Sequence, residues 1–323
     1  MDLLLAGDFD AADQAVWLHA LGCALPGHHL WTDRAALPAG RSIEVAIVAN
    51  PPPGSLAGLP GLRLIQSLWA GVDRLLADAT LPPQVPLARM VCPAMNAAMA
   101  ETALWAVLAL HRGFFSYARQ QAQGRWQQQP QSRASDWPVL LLGNGQMGRA
   151  VGAALARQGY PVTAWRRGGA AAGAADGPGA AAVAGVQVVS GPQALAAARA
   201  RARVVINLLP LTPDTRGLID AAWLAAMAPG AGLVNLARGA QVVEADLLAA
   251  LDTGHIGQAV LDVFATEPLP AGHAFWRHPR VTVLPQVAAL TDVRSAAAVV
   301  AANVAALVAG QPVQHRVART RGY

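Results

Sequence analysis

Three residues late in this 323-residue chain combine a reactive type with a suggestive neighbourhood: Arg238, Glu267 and Gln286. Arg238 stands in Asn235-Leu236-Ala237-Arg238-Gly239, directly after the apolar run 232–236. A guanidinium there sits at the carboxyl end of a strand, where α/β sheets bind ligands, and its planar fork matches a carboxylate. Glu267 opens Glu267-Pro268-Leu269, shortly after Asp262-Val263-Phe264, and Gln286 closes Leu284-Pro285-Gln286. A glutamine amide donates an N–H hydrogen bond but delivers no proton at neutral pH.

A fourth constellation supplies a nucleotide-binding signal. Gly143-Asn144-Gly145-Gln146-Met147-Gly148 follows the apolar run 139–142 and opens an amphipathic stretch, 146–158. Gly143 permits the tight turn, Gly145 lets the backbone approach a pyrophosphate, and Gly148 allows the helix to pack close to the strand. Gln146 and Met147 lie in the first turn, where free N–H groups and a partial positive charge face phosphate. The next strand ends Ala164-Trp165-Arg166-Arg167, with no acid to take a ribose 2′-hydroxyl. Two arginines at that point pair with a 2′-phosphate, so NADP(H) is favoured over NAD(H).

Together these segments resemble the D-2-hydroxyacid dehydrogenase family, most closely its glyoxylate/hydroxypyruvate reductase A branch. The likeness runs over nearly the whole chain and includes the closing Arg319-Thr320-Arg321-Gly322-Tyr323. It implies an α/β fold of two Rossmann-like doubly wound domains, the cofactor domain (101–288) inserted into a discontinuous flavodoxin-like substrate domain (1–100 plus 289–323). It implies NADPH-dependent reduction of a short, anionic 2-oxo acid and a homodimer, with Trp105 in the dimer arm. The family uses an Arg, a Glu and a His; Arg238 and Glu267 match, and Gln286 stands where the His belongs. Ser67-Leu68-Trp69-Ala70-Gly71-Val72-Asp73 is similar to the loop that holds the substrate carboxylate on the amides of Gly71 and Val72. Trp69 replaces a small residue there, either walling the pocket or packing in a relaxed loop. Leu209, Pro210 and Thr212, with Leu236 and Ala237, fall where the family lines its cofactor cleft. Asp262 matches the residue that hydrogen-bonds the nicotinamide carboxamide.

Reduction of a 2-oxo acid needs a carboxylate anchor, a hydride aimed at the carbonyl carbon and a proton for the alkoxide. Without the His, three routes are open: water protonates the product beside Gln286 and Arg238, Glu267 holds a proton and acts as the acid, or the protein binds cofactor and turns over poorly. General acid catalysis is typically worth about 10²–10⁴-fold. Two functional classes therefore stand: a working reductase, and a catalytically impaired NADP-binding regulatory or scaffold paralogue. Hydride abstraction without proton transfer is a third, smaller possibility.

The elements that must position these residues follow a strand–helix rhythm. Runs 3–6, 45–49 and 62–68 read as strands, with a helix over 11–21. A long helix spans 96 to about 120, and the polar, Gln-rich 120–137 reads as a crossing between domains. Six strands follow: 139–142, 162–165, 204–209, 232–236, 259–263 and 281–284. The Gly/Ala-rich 168–185 reads as a surface loop. Composition agrees: 54% hydrophobic and only 13% charged residues suit buried cores over disorder. The net charge of +5 comes entirely from scattered arginines, which suits small anions better than nucleic acid. Arg199, Arg201 and Arg203 read as a solvated helix end. Cys23 and Cys92 read as buried thiols, and His255 and His273 as solvated loop residues, with His278 structural. The N-terminus lacks a basic leader, and the apolar stretch 296–309 is too short to cross a bilayer, so a cytoplasmic protein without a membrane span is expected.

Overall fold

The alternation of apolar runs and helices becomes two parallel sheets in the computed structural model of the protein, which describes residues 1–168, 182–320 and 322. The chain divides into two compact units, Met1–Met95 with Thr291–Tyr323, and Asn96–Leu290. The crossing from one unit to the other falls inside the helix Pro93–His111.

The first unit carries β1 (Asp2–Gly7), β2 (His29–Trp31), β3 (Ile43–Ala49), β4 (Leu64–Ser67) and β5 (Leu87–Ala88), in the order β2-β1-β3-β4-β5. β2 and β5, only three and two residues long, escape the periodicity that marks the others. The helix Ala11–Ala24 starts where the Asp10 carboxylate accepts the Asp13 N–H at 2.8 Å. Asp292 caps Val293–Val308 in the same way through Ser295, at 2.9 Å. Such a cap satisfies an N–H that the helix leaves open, worth about 1 kcal/mol. Cys92 is buried as expected, but Cys23 is exposed, because it lies on the outer side of Ala11–Ala24.

The second unit carries β6 (Val139–Leu142), β7 (Val162–Arg166), β8 (Val186–Ser190), β9 (Val204–Asn207), β10 (Ala231–Asn235), β11 (Ile256–Leu261) and β12 (Val281–Val283). Their order is β12-β11-β10-β9-β6-β7-β8, with every neighbouring pair parallel. β8 is a seventh strand where six were expected; it is an edge strand with a mostly exposed face and lacks the apolar continuity of the others. The central strands are apolar up to their carboxyl ends because helices cover both faces of the sheet. Alternation along β6 and β9 sends Leu140, Leu142 and Val205 to one core, and Val139, Leu141, Val204 and Ile206 to the other. Burying each such side chain contributes roughly 1.5–3 kcal/mol.

The expected helix from 96 to 120 is two helices, Pro93–His111 and Phe114–Ala122, broken at Gly113, whose φ is +70°. Pro93–His111 is long and apolar enough to cross a membrane by length and composition, yet Ala103, Ala106 and Val107 are buried in the core beneath β6. The Gln-rich 120–137 does not cross between units; it lies within the second one. The segment is tied down locally: Gln129 donates its N–H to the Tyr117 hydroxyl at 2.9 Å and its Nε2 to the Ser116 hydroxyl at 2.7 Å, and His111 Nε2 meets the Ser132 carbonyl at 3.0 Å. Arg199 is not a solvated helix end either. Its guanidinium lies 5.0 Å over the Trp223 ring and Nε is buried, because the helix Pro192–Arg201 turns that face inward. Most of the Gly/Ala-rich stretch, 169–181, lies outside the described residues.

Candidate functional site

The carboxyl ends of β6, β7, β9, β10, β11 and β12 share one edge of the second unit's sheet. The strand order reverses between β6 and β9, which opens a crevice there. The glycine turn enters it. Gly143 has φ +110°, and a Cβ would come within 3.0 Å of the Leu208 carbonyl. A Cβ on Gly148 would lie 2.2 Å from the Gly143 carbonyl, so only glycine lets the helix Gln146–Arg157 start this close to β6. Gly145 is the N-cap, and among the described residues nothing stands within 4 Å of where its Cβ would be. No side chain of the described residues caps this helix, so the N–H groups around Gln146 and Met147 stay available to an anion. A crowded Gly148 beside an open Gly145 is what a bound pyrophosphate needs, and a dinucleotide fits.

At the end of β7, Trp165 is buried and its Nε1 donates to the Gly191 carbonyl at 3.0 Å. Its side chain therefore belongs to the core, leaving only its backbone for a cofactor. Arg166 is half-buried, whereas Arg167 is exposed and aimed: Nη1 meets Asp214 at 2.8 Å and Nη2 the Thr212 hydroxyl at 3.3 Å. Leu209, Pro210 and Thr212 form the turn after β9. Thr215 braces that turn, its hydroxyl donating to the Pro210 carbonyl and accepting the Thr212 N–H, both at 2.8 Å.

After β10, the backbone carries Leu236 and Ala237 to Arg238, whose Nη1 donates to the Ala237 carbonyl at 2.7 Å. Gly239 fixes this turn, because a Cβ there would fall 1.8 Å from the Phe264 carbonyl carbon. The Arg238 turn thus rests directly on the backbone after β11. There Glu267 Oε1 accepts the Phe264 N–H at 2.8 Å, closing the turn that carries the carboxyl.

Asp262 is buried and organises the end of β12. Its carbonyl accepts the Gln286 N–H at 3.0 Å, and its two carboxylate oxygens accept the N–H groups of Val287 at 2.8 Å and Ala288 at 3.0 Å. Burial pushes this carboxyl above the usual aspartate range, and the nearby Glu267 adds to the rise, against the two amide hydrogen bonds. Gln286, held at φ +56°, is exposed. Asp262 therefore sets the backbone from which residue 286 projects.

Among the histidines, His273 is half-buried, 3.4 Å from Glu244, and its ring packs on Phe275. His255 reaches the Leu224 carbonyl at 3.1 Å. Neither is a solvated loop residue, because each is needed by a neighbouring turn. His278 is structural, bonding Asp252 and the Arg280 N–H.

In the first unit, Trp69, Ala70, Gly71 and Val72 follow β4. The Trp69 N–H donates to the Ser67 hydroxyl, and its carbonyl accepts the Met90 N–H, both at 3.0 Å. The half-buried Trp69 ring meets the buried Trp17 edge-on at 6.4 Å. Val72 is buried beside Leu75.

Residues 104–288 match the family described as D-isomer specific 2-hydroxyacid dehydrogenase, NAD binding domain. The chain belongs to this family. It is 38% identical, over 96% of both chains, to glyoxylate/hydroxypyruvate reductase A of Serratia proteamaculans. A D-isomer specific 2-hydroxyacid dehydrogenase from Xanthobacter autotrophicus, solved with NADPH and MES, superposes with a TM-score of 0.90 at 37% identity, covering 100% of this chain and 99% of that one. An NADPH-dependent glyoxylate/hydroxypyruvate reductase from Sinorhizobium meliloti, solved with NADP and sulfate, gives 0.89 at 32% identity with the same coverage. As a 2-hydroxyacid dehydrogenase, the protein presents its glycine turn and Arg238 on one edge of one sheet.

Sequence reasoning missed the polar residues beneath that edge. Gln241, buried in the turn after β10, and Asp214, which orients Arg167, were not singled out, and Asn207 and Asn235, read only within their motifs, were given no role. Asn207 and Asn235 carried a usable signal: each is a polar residue closing an otherwise apolar strand.

Proposed function

We propose that the protein reduces a short 2-oxo acid of the glyoxylate or hydroxypyruvate type to its 2-hydroxy acid, consuming NADPH and one proton. When bound, the reduced cofactor supplies the hydride. Arg238 anchors the substrate carboxylate and polarises the ketone oxygen. Gln286 donates an N–H to the developing alkoxide, and because it is exposed, solvent delivers the proton. Glu267 keeps the turn beneath these groups closed through Phe264. Arg166 and Arg167 favour a 2′-phosphate, with Arg167 already oriented by Asp214 and Thr212.

The observation that carries this reading is the Arg238 turn, which leaves β10 beside β9 at the dinucleotide crevice and is seated by Gly239 on the backbone after β11. Purified protein should oxidise NADPH, and NADH less efficiently, with glyoxylate or hydroxypyruvate. Tight NADPH binding without oxidation across a panel of short 2-oxo acids defeats the proposal. We place the protein in the cytoplasm as a homodimer. Trp126, 96% exposed, and the exposed Trp105 and Phe114 offer apolar surface to a second copy.

A further inference from the structure

Beneath the Arg238 turn lies a closed network of three fully buried amides, Asn207, Asn235 and Gln241. Asn207 Oδ1 accepts the Leu209 N–H at 3.2 Å, while its Nδ2 donates to Asn235 Oδ1 at 3.0 Å and to Gln241 Oε1 at 2.8 Å. Asn235 Nδ2 donates to the Arg238 carbonyl at 3.1 Å. Gln241 Oε1 also accepts the Arg238 N–H at 3.2 Å, and its Nε2 donates to the carbonyls of Leu209 at 3.1 Å and Pro210 at 3.0 Å. Each amide orientation is dictated, because each oxygen accepts from, or each nitrogen donates to, a backbone group of fixed polarity. Gln241 uses both donors and both acceptor positions, and it alone touches both sides: the turn after β9 that lines the nucleotide crevice, and the turn after β10 that launches the guanidinium.

We propose that Gln241 is a positioning residue of the reaction, whose single amide holds the backbone of Arg238 and the cofactor-side carbonyls of Leu209 and Pro210 as one piece. This rests on Arg238 being the substrate anchor. It follows that the occupancy of the two sites is coupled: a cofactor seated against 209–210 fixes the turn that aims Arg238. A buried network of this kind rigidifies only when every member is satisfied. Misplacement of a catalytic group by about 1 Å is enough to cost about 10²-fold in rate.

The test compares Gln241→Met, which keeps the length and removes the amide, with Asn303→Leu. Asn303 is a buried amide of the other unit, bonded to Gln66 at 2.7 Å, and serves as a control for stability alone. Both variants should melt at lower temperature. Gln241→Met should lose about 10- to 100-fold in kcat/KM, with kcat lowered and the 2-oxo acid KM raised, whereas Asn303→Leu keeps both constants. In the natural protein, saturating oxalate, a carboxylate stand-in for the substrate, should tighten NADPH binding, and Gln241→Met should abolish that tightening. If Gln241→Met fails to fold, Gln241→Glu serves. It keeps the acceptor for Arg238 but turns an acceptor toward Leu209 and Pro210, so NADPH affinity should fall while the substrate KM stays close to natural. A Gln241→Met protein whose kcat, KM and oxalate coupling match those of Asn303→Leu, or a Gln241→Glu protein whose NADPH affinity matches that of Asn303→Leu, overturns the proposal. Natural protein that binds NADPH but neither oxalate nor any 2-oxo acid overturns the reductase reading itself, and this inference with it.

Discussion

Replacing Gln286 by His tests whether the site is a reductase site lacking its acid. Residue 286 sits at φ +56°, a conformation in which His is among the better-tolerated non-glycine residues. Its N–H is fixed by the Asp262 carbonyl, and the next two amides are fixed by the Asp262 carboxylate. The new ring therefore projects from a backbone that has no reason to move. The side chain is exposed, so folding stability should change by less than about 0.5 kcal/mol. The donor function of Gln286 is retained, because a protonated imidazole also donates, and a transferable proton is added. General acid catalysis spans about 10²–10⁴-fold; because the imidazole takes over a donor already present, we expect kcat to rise by about 10²-fold, near the lower limit. That corresponds to about 2.7 kcal/mol of barrier. The assay is steady-state NADPH oxidation with glyoxylate and hydroxypyruvate between pH 6 and 8, for both proteins. The variant should gain a decline in rate as pH rises past the histidine range, which the natural protein lacks. Equal or lower kcat in the variant, with NADPH affinity and Tm unchanged, refutes the reasoning and makes Gln286 a residue fitted to a different task.

Two further perturbations address the framework. Gly239→Ala puts a methyl 1.8 Å from the Phe264 carbonyl carbon, so the Arg238 turn must shift; we expect a lowered Tm and a loss of at least about 10²-fold in kcat/KM, and activity within threefold of natural would contradict the seating. Asp262 has a folded-state pKa raised by burial, so the folded protein holds this proton to higher pH than the unfolded chain does, and its contribution to stability falls as pH rises through that raised pKa. Measured by denaturant midpoint across the carboxylate range, Asp262→Asn should therefore improve relative to the natural protein with rising pH, and a constant or opposite difference would refute the assignment.

What could be read in the sequence was whatever leaves a local periodic trace. β6, β9 and β10 are continuous apolar runs, and the Gly143–Gly148 turn has glycines where a turn, a phosphate approach and a helix contact each demand one. β8 has an exposed face and β2 and β5 are two or three residues long, so their pairing comes from neighbours that a local window does not see. Gly113 looks like any helical glycine until its positive φ is known. Arg199 looked solvated because its partner, Trp223, is remote in sequence.

The site divides along the same line, and the division has a chemical meaning. Arg238, Glu267 and the position of Gln286 were legible because each closes a strand motif of its own. What sets their geometry was not, because it is made of long-range contacts between backbone and buried amides: Gly239 on Phe264, Gln241 between 209–210 and Arg238, and Asp262 under 286–288. Each of these contacts fixes backbone and leaves the reacting side chain free to vary. A protein built so can exchange the residue at 286 with little effect on folding, since neither the Gln286 N–H bond nor the Asp262 clamp depends on the side chain there. Held at φ +56° whichever residue stands there, position 286 has its identity decided by chemistry rather than by packing of its side chain.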